Sequence, residues 1–386
     1  MSNTQTKNVP ELRFPGFEGE WEEKKLEDII KVNSGKDYKH LDKGDIPVYG
    51  TGGYMTSVSE PLSEIDAVGI GRKGTINKPY LLEAPFWTVD TLFYCTPKKE
   101  TDILFILSLF RKINWKVYDE STGVPSLSKQ TINKINRFVP TNKEQQKIGK
   151  FFSKLDRQIE LEEQKLELFQ QQKKGYMQKI FSQELRFKDE SGNDYPDWEE
   201  KELGKVADRV IRKNKNFESK KPLTISGQLG LIDQTEYFSK SVSSKNLENY
   251  TLIKNGEFAY NKSYSNGYPL GAIKRLTRYD SGVLSSLYIC FSIKSEMSKD
   301  FMEAYFDSTH WYREVSGIAV EGARNHGLLN ISVNDFFTIL IKYPSLEEQR
   351  KIGDFFIKLD RQIELEEQKL ELLQQRKKAL LKSMLI

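Results

Sequence analysis

Cysteine is nearly absent, which removes two ways of holding a small domain together. The 386 residues contain only Cys95 and Cys290, too few and too far apart for a disulfide framework or a zinc cluster. Each sits in an apolar, strand-like run, Leu92–Cys95 and Leu287–Phe291, so both are expected as buried thiols that behave as small hydrophobes. Histidine is as scarce. His40, His310 and His326 are the three; none has metal-ligand spacing or a nucleophile beside it, and structural or contact roles are expected. No segment approaches the ~20 apolar residues of a membrane span. The stretch Met1–Asn8 is polar and has no apolar signal region, which predicts a cytoplasmic protein. An excess of one charge is missing too: 59 Lys and Arg against 55 Asp and Glu leave a net +4. Nucleic-acid binding is then possible only through a local basic surface.

Catalytic signatures are also wanting. There is no Walker A sequence, so ATP hydrolysis is not expected. Gly69-x-Gly71-x-x-Gly74 matches the dinucleotide fingerprint, but that motif needs a helix after it, and Thr75, Ile76 and Pro79 favour extended chain. Asn77-Lys78-Pro79-Tyr80 approximates the Asn-Pro-Pro-Tyr element of adenine methyltransferases with Lys78 in place of a proline. No cofactor-binding glycine motif leads a βαβ unit. Pro196-Asp197 before Glu199-x-Lys201 lacks the spacer usual in nuclease carboxylate sets. No catalytic centre is expected.

What is present is enough apolar (38%) and aromatic (12%) residue to rule out full disorder. The length suits two domains with connecting elements. The sequence also repeats itself. Residues 144–174 recur as 348–378, matching at 26 of 31 positions, and Leu155–Leu168 returns unchanged as Leu359–Leu372. A shorter repeat leads each unit: Glu11-Leu12-Arg13-Phe14 before Trp21, and Glu184-Leu185-Arg186-Phe187 before Trp198. The chain is therefore two tandem units, roughly 11–183 and 184–386, with similar frames around globular parts that look largely unrelated.

The repeated segment has a helical stripe. Ile148, Phe152, Leu155, Ile159, Leu166, Phe169, Tyr176 and Ile180 follow alternating steps of four and three, interrupted by Glu162 and Lys173. The second copy places Ile352, Phe356, Leu359, Ile363, Leu370, Leu373, Leu380 and Met384 likewise. Two such stripes in one chain predict an intramolecular coiled coil. Leu161, Leu168, Leu365 and Leu372 lie beside the stripe, and they either pack on the chain's own domains or form a docking surface. Polar positions such as Arg157 and Arg361 repeat identically. Packing alone does not require that, and duplicate partner sites would explain it. Seven basic and six acidic residues in 144–174 speak against a DNA-gripping helix.

The first globular domain alternates β-branched runs with turns such as Tyr49–Tyr54, and Ile103–Phe110 reads as a helix. Residues 65–76 read as a strand, a glycine-rich cationic turn and another strand. Arg72 and Lys73 then project toward an anionic partner, or form an ordinary solvated turn. The second domain has a loosely equivalent segment, Phe258–Tyr260, then a polar loop from Asn261, then Lys274 and Arg275 on the next strand. The region 322–327 is another polar loop.

Two variable domains, each followed by a proline, a Glu-Gln-x-Lys-Ile run and a long helix, resemble the specificity subunits of type I restriction-modification systems. The residues carrying this are Pro140 with Glu144–Ile148 and Pro344 with Glu348–Ile352, preceded by Leu127-Ser128 and Asn330–Ser332. The resemblance implies an α+β chain: two mixed α/β target-recognition domains separated by two long antiparallel helices in an intramolecular coiled coil, pseudo-two-fold. On that reading residues 1–20 are an N-terminal segment, 21–140 and 184–344 the recognition domains, and 141–183 and 345–386 the repeat helices. Each domain would read half of a bipartite double-stranded DNA site. The helices would act as spacer and dock two modification subunits, which methylate adenine N6, and two restriction subunits. No cofactor is expected in this chain; S-adenosylmethionine, ATP and magnesium belong to those partners.

Base-reading residues vary with target in such proteins, so candidates rest on local chemistry, since Arg, Lys and Asn can contact phosphates or base edges. They are Lys36, Tyr38, Lys39, Tyr54, Arg72, Lys73 and Lys78 in the first domain, and Asn261, Lys262, Tyr264, Lys274, Arg275, Arg324 and Asn325 in the second. Partner docking is assigned to Leu161, Leu168, Leu365, Leu372, Arg157 and Arg361. A helix of about 35–40 residues is some 50–60 Å long, enough to hold two readers about one DNA turn, roughly 34 Å, apart. The rival readings are a helical scaffold with protein-binding ends and a self-sufficient DNA-modifying enzyme.

Overall fold

The structure is a computed structural model describing residues 8–227, 229–237, 247–264, 267–319 and 329–386. The chain divides into two compact units, residues 1–165 with 366–386, and residues 166–365.

The first unit opens with β1 (Glu22–Lys25), α1 (Leu26–Ile29) and β2 (Ile30–Ser34). A hairpin of β3 (Ile46–Gly50) and β4 (Gly53–Val58) follows, then β5 (Ala67–Gly71), β6 (Tyr80–Leu82), β7 (Trp87–Thr88) and β8 (Leu92–Pro97). The helix expected at Ile103–Phe110 is α2 (Ile103–Lys112), capped by Asp102. After it come α3 (Lys129–Asn133), β9 (Asn136–Val139) and the long α4 (Asn142–Phe181). The main sheet runs β2-β8-β5-β6, a second runs β4-β3-β7, and β1 pairs with β9. Continuous burial explains why β5 reads as an apolar run: all five of its residues are buried at the sheet centre. The second strand expected within 65–76 is absent. Arg72 and Lys73 amides go to Thr91 O and the Gly74 amide to Pro125 O. The backbone after Gly71 is thus tied to two other loops, and pairing resumes only at β6, past Pro79. No helix follows Gly74, as the reading of the glycine fingerprint required.

The second unit contains β10 (Glu199–Glu202), α5 (Leu203–Val206), β11 (Ala207–Arg209), β12 (Leu223–Ser226), β13 (Gly230–Asp233) and α6 (Gln234–Tyr237). Next are β14 (Thr251–Lys254), β15 (Phe258–Asn261), β16 (Ala272–Arg275), β17 (Ser281–Leu284) and β18 (Tyr288–Ile293). It ends with α7 (Lys299–Asp307), α8 (Tyr312–Ile318), α9 (Val333–Phe337), β19 (Leu340–Tyr343) and α10 (Leu346–Met384). Its main sheet runs β11-β18-β15-β16, the order of the first unit under different residues. Val68 opposite Cys95 faces the α2 core in one unit, and Phe258 opposite Phe291 faces the α7 core in the other. Cys290 lies on the reverse face of its sheet with Ala259. Both thiols are buried and unpaired.

The repeated run at the start of each long helix has a physical account residue by residue. Glu144, 1% exposed, accepts Arg13 Nε and Nη2, each at 2.7 Å, and Glu348 accepts Arg186 in the same way. Gln145 Oε1 accepts the Asp102 amide while its Nε2 donates to Pro140 O; Gln349 does the same for Ser298 and Pro344. A side chain at Gly149 would lie 2.6 Å from Phe105 N, and at Gly353 3.0 Å from Phe301 N, so only glycine lets α2 and α7 approach this closely. Ile148 and Ile352 complete the two cores.

Within the first unit Asp156, Glu162 and Lys165 of α4 meet Lys377, Lys369 and Glu366 of α10, so the segments run antiparallel. Within the second, Lys173 meets Asp360 at 2.5 Å and Tyr176 packs edge-on against Phe355, again antiparallel. The interruptions in the apolar stripe are therefore the ion pairs. Glu162 and Lys173 and their repeat equivalents Glu366 and Lys377 all bond across the seam. Burial pushes the Asp360 carboxyl above its ordinary range against the pull of Lys173.

Candidate nucleic-acid interface

In the first domain one turn organises the cations. Lys36 donates its amide to Thr88 O and accepts Trp87 Nε1 on its carbonyl; Arg72 and Lys73 hold Thr91 O from the other side. The segment from Thr88 to Thr91 thus ties down the backbone of Lys36 and that of Arg72 and Lys73. The Arg72 guanidinium rests over Phe93, 5.9 Å from the ring centre, and donates to Asp90 O at 3.4 Å. Lys36, Lys39, Lys73 and Lys78 are exposed, and among the described residues none of their ammonium groups has a side-chain partner.

Tyr38 is half-buried against the Val48, Val58 and Trp87 cluster. Tyr54 is 64% exposed at the start of β4, edge-on to Tyr49 and bonded to Ser57 Oγ. Tyr80 ties that hairpin to β6 through a 2.6 Å bond to Gly50 O.

The second domain disposes of its cations differently. Lys274 pairs with Asp307 at 2.6 Å, and Arg275 with Asp300 at 2.5 Å and Glu303 at 3.1 Å. Burial pulls the Lys274 ammonium down, yet Asp307 more than offsets it and leaves its pKa raised. Burial pushes Glu303 up despite Arg275. Both cations bind β16 to α7. Lys262 donates to Ile331 O, and the Asn261 carboxamide accepts the Ser263 amide. Tyr264 stands out, 63% exposed. Arg324 and Asn325 lie outside the described residues, as does His326.

The helix row is on the surface. Leu161, Leu168, Leu365 and Leu372 are 47%, 53%, 49% and 65% exposed, so the globular domain in each one's own unit does not cover it. Arg157 and Arg361 hold Glu160 and Glu364 one turn on. His310 packs on Phe181, with burial lowering its pKa, and His40 packs edge-on against Trp87. Among the described residues no group of three or more His, Cys, Asp or Glu could hold a metal ion, and no helix is long and apolar enough to cross a membrane.

Sequence reasoning missed the Arg13 and Arg186 clamps, although the repeats containing them were visible. It also missed Lys129, which lines a cleft with Arg72 and Lys73 but reads locally as the first residue of a helix.

Residues 18–170 match the family model of the type I restriction modification DNA specificity domain. Over those residues the chain matches the DNA specificity domain of the type I specificity subunits. Recognition of DNA sequence, within a type I restriction-modification complex, is the family's role, and its members are generally non-catalytic. A relative from Methanocaldococcus jannaschii, the type I restriction enzyme MjaVIII specificity subunit, is 24% identical over 84% of this chain and 76% of its own. The S subunit of a type I restriction-modification system from M. genitalium shares the fold at a TM-score of 0.64. It is 14% identical, with 98% of this chain and 99% of that chain covered.

Proposed function

We propose that this chain is a type I specificity subunit that reads a bipartite DNA site, one half through each globular domain, and carries no reaction itself. The helices act as spacer and dock two modification subunits for adenine N6 methylation, with two restriction subunits completing the nuclease. S-adenosylmethionine, ATP and magnesium sit on those partners, and the complex works in the cytoplasm. The observation that carries this reading is a contrast within the chain. Two sheets of the same strand order present different loops, while the two helices present the same leucines and arginines. Different readers on equal docking surfaces is what a split, asymmetric site methylated in both halves requires. Docking is assigned to Leu161, Leu168, Leu365 and Leu372 with Arg157 and Arg361.

The test is a genome-wide map of methylated adenine in the source cells with and without the gene. Loss of one split motif on deletion is the expected result. An unchanged methylome, together with DNA binding by the purified complex that does not weaken with salt, would sink the reading in favour of a scaffold that binds proteins.

The spacer role predicts a second result. The long helices have 40 and 39 residues, about 60 Å each at 1.5 Å per residue. Inserting matched residues between Glu162 and Lys165 and, facing them, between Glu366 and Lys369 should widen the unread gap and leave both half-sites unchanged. An unchanged gap would refute the ruler.

A further inference from the structure

A cleft of about 410 Å³ in the first domain is lined by Ser34, Arg72, Lys73, Phe93, residues 126–128 and Lys129. Three cations converge on it, and no carboxylate lines it. We propose that this cleft seats a phosphodiester of the DNA backbone and fixes the first domain's position on the duplex without reading a base. The inference rests on the DNA-reading role above and adds to it a site, its ligand class and a residue, Lys129.

Four segments build the cleft, and each is held by its backbone. Leu127 donates its amide to Arg72 O, Gly74 to Pro125 O, and Lys73 bridges Ser126. The loop from Asp119 to Thr131 is stiffened by its own acids. Asp119 accepts the Ser126 and Ser121 amides and the Ser121 hydroxyl. Glu120 accepts the Ser128 amide and the hydroxyls of Ser128 and Thr131. These bonds, the Ser126 amide and the Thr131 hydroxyl first, hold both carboxyls below their ordinary range. The acids beside the cleft are thus turned into the loop. Meanwhile the Lys73 and Lys129 ammonium groups and the Ser34 and Ser126 hydroxyls have no side-chain partner among the described residues. Arg72 is already held over Phe93. A held guanidinium and two unpaired ammonium groups on backbone-tied segments are what an anion needs, because the backbone that carries them is already ordered.

The choice of phosphate over a base follows from charge. Three unneutralised cations in one small cleft suit a ligand with a full negative charge. A base edge offers only partial charges and is usually read with an amide that supplies donor and acceptor together. The second domain shows what the alternative looks like. Lys262 follows its central strand as Arg72 follows β5, since each accepts on its carbonyl the amide of the chain leading to the next short helix. There the ammonium turns inward to Ile331 O, and Ser263 and Val333 stand where Lys73 and Lys129 do.

The experiment compares the complete complex carrying Lys129→Ala, and separately Lys73→Ala, with the unaltered one. Affinity is measured on duplexes with and without the target motif across a salt series. Each phosphate contact contributes about 0.9 to the slope of log affinity against log salt. Each variant should lose about one unit of slope on both duplexes, so its disadvantage shrinks about 3.5-fold between 50 and 200 mM salt. The methylated motif should stay the same, and Lys129→Arg should restore the slope. An unchanged slope in both variants overturns the seat while leaving the DNA reading intact. A changed motif also overturns it, because the residue would then read bases. If the unaltered complex binds DNA with no salt dependence, the DNA reading falls and the seat with it.

Discussion

Leu161→Asp combined with Leu365→Asp should abolish adenine methylation in cells while leaving the folded chain's melting temperature within a few degrees of the parent. The two positions are the same place in the repeat, one on each long helix, and both side chains are about half exposed. Four large aliphatic side chains held in water at repeat-matched positions are not used by the fold. An aspartate there costs the helix only about 0.7 kcal/mol in propensity. At a packed interface it strands a carboxylate without a partner, about 3 kcal/mol or roughly a 150-fold loss of affinity at each docking site. Co-purification with the modification subunit and the cellular methylation map measure the effect. Leu161→Asp alone should leave one modification subunit bound. Full assembly and methylation by the double variant would remove the leucine row from the docking surface.

The helices and their stripe were legible because a duplication writes the same pattern twice, and because good helix formers in a heptad-like order have one main solution. The shared sheet order was not legible. One unit fills its core with Val68 and Cys95, the other with Phe258 and Phe291, and sheet topology leaves no trace in residue identity when volume is met by such different side chains. Candidate contacts fared according to how local their fate was. Arg72 and Lys73 sit on a turn, as their glycine neighbours implied. Lys274 and Arg275 do lie on a strand, yet their partners are acids on α7, and no local pattern announces a bond to a helix that far along the chain. The same distance hid Arg13 from Glu144 and led to a second strand being expected after Gly71, where the backbone is bonded to loops distant in sequence.

Arg13→Ala should lower the melting temperature of the first unit by about 5–10 °C, and Arg186→Ala should do the same to the second. Each arginine grips a glutamate almost wholly shut off from water, Glu144 at 1% and Glu348 at 0% exposed. Arg13 also donates to Gly19 O and Glu18 O, and Arg186 to Pro196 O. One side chain therefore fastens both the leading segment and the first turn of the long helix. Removing one member of a buried pair typically costs about 3–5 kcal/mol because the remaining charge keeps its desolvation without compensation. The arginines themselves are 17% and 20% exposed, so water can reach part of the gap, and about 2–3 kcal/mol is the fitting expectation. For units of this size that corresponds to the stated shift, at about 2–4 °C per kcal/mol. The cause is the stranded charge, so Glu144→Gln added to Arg13→Ala should recover part of the loss, and Arg13→Lys, which keeps charge but not the fork, should fall between. Hydrogen exchange resolved along the chain assigns each loss to its unit. If Glu144→Gln deepened the loss, the arginine would be acting through its backbone contacts and not through the carboxylate.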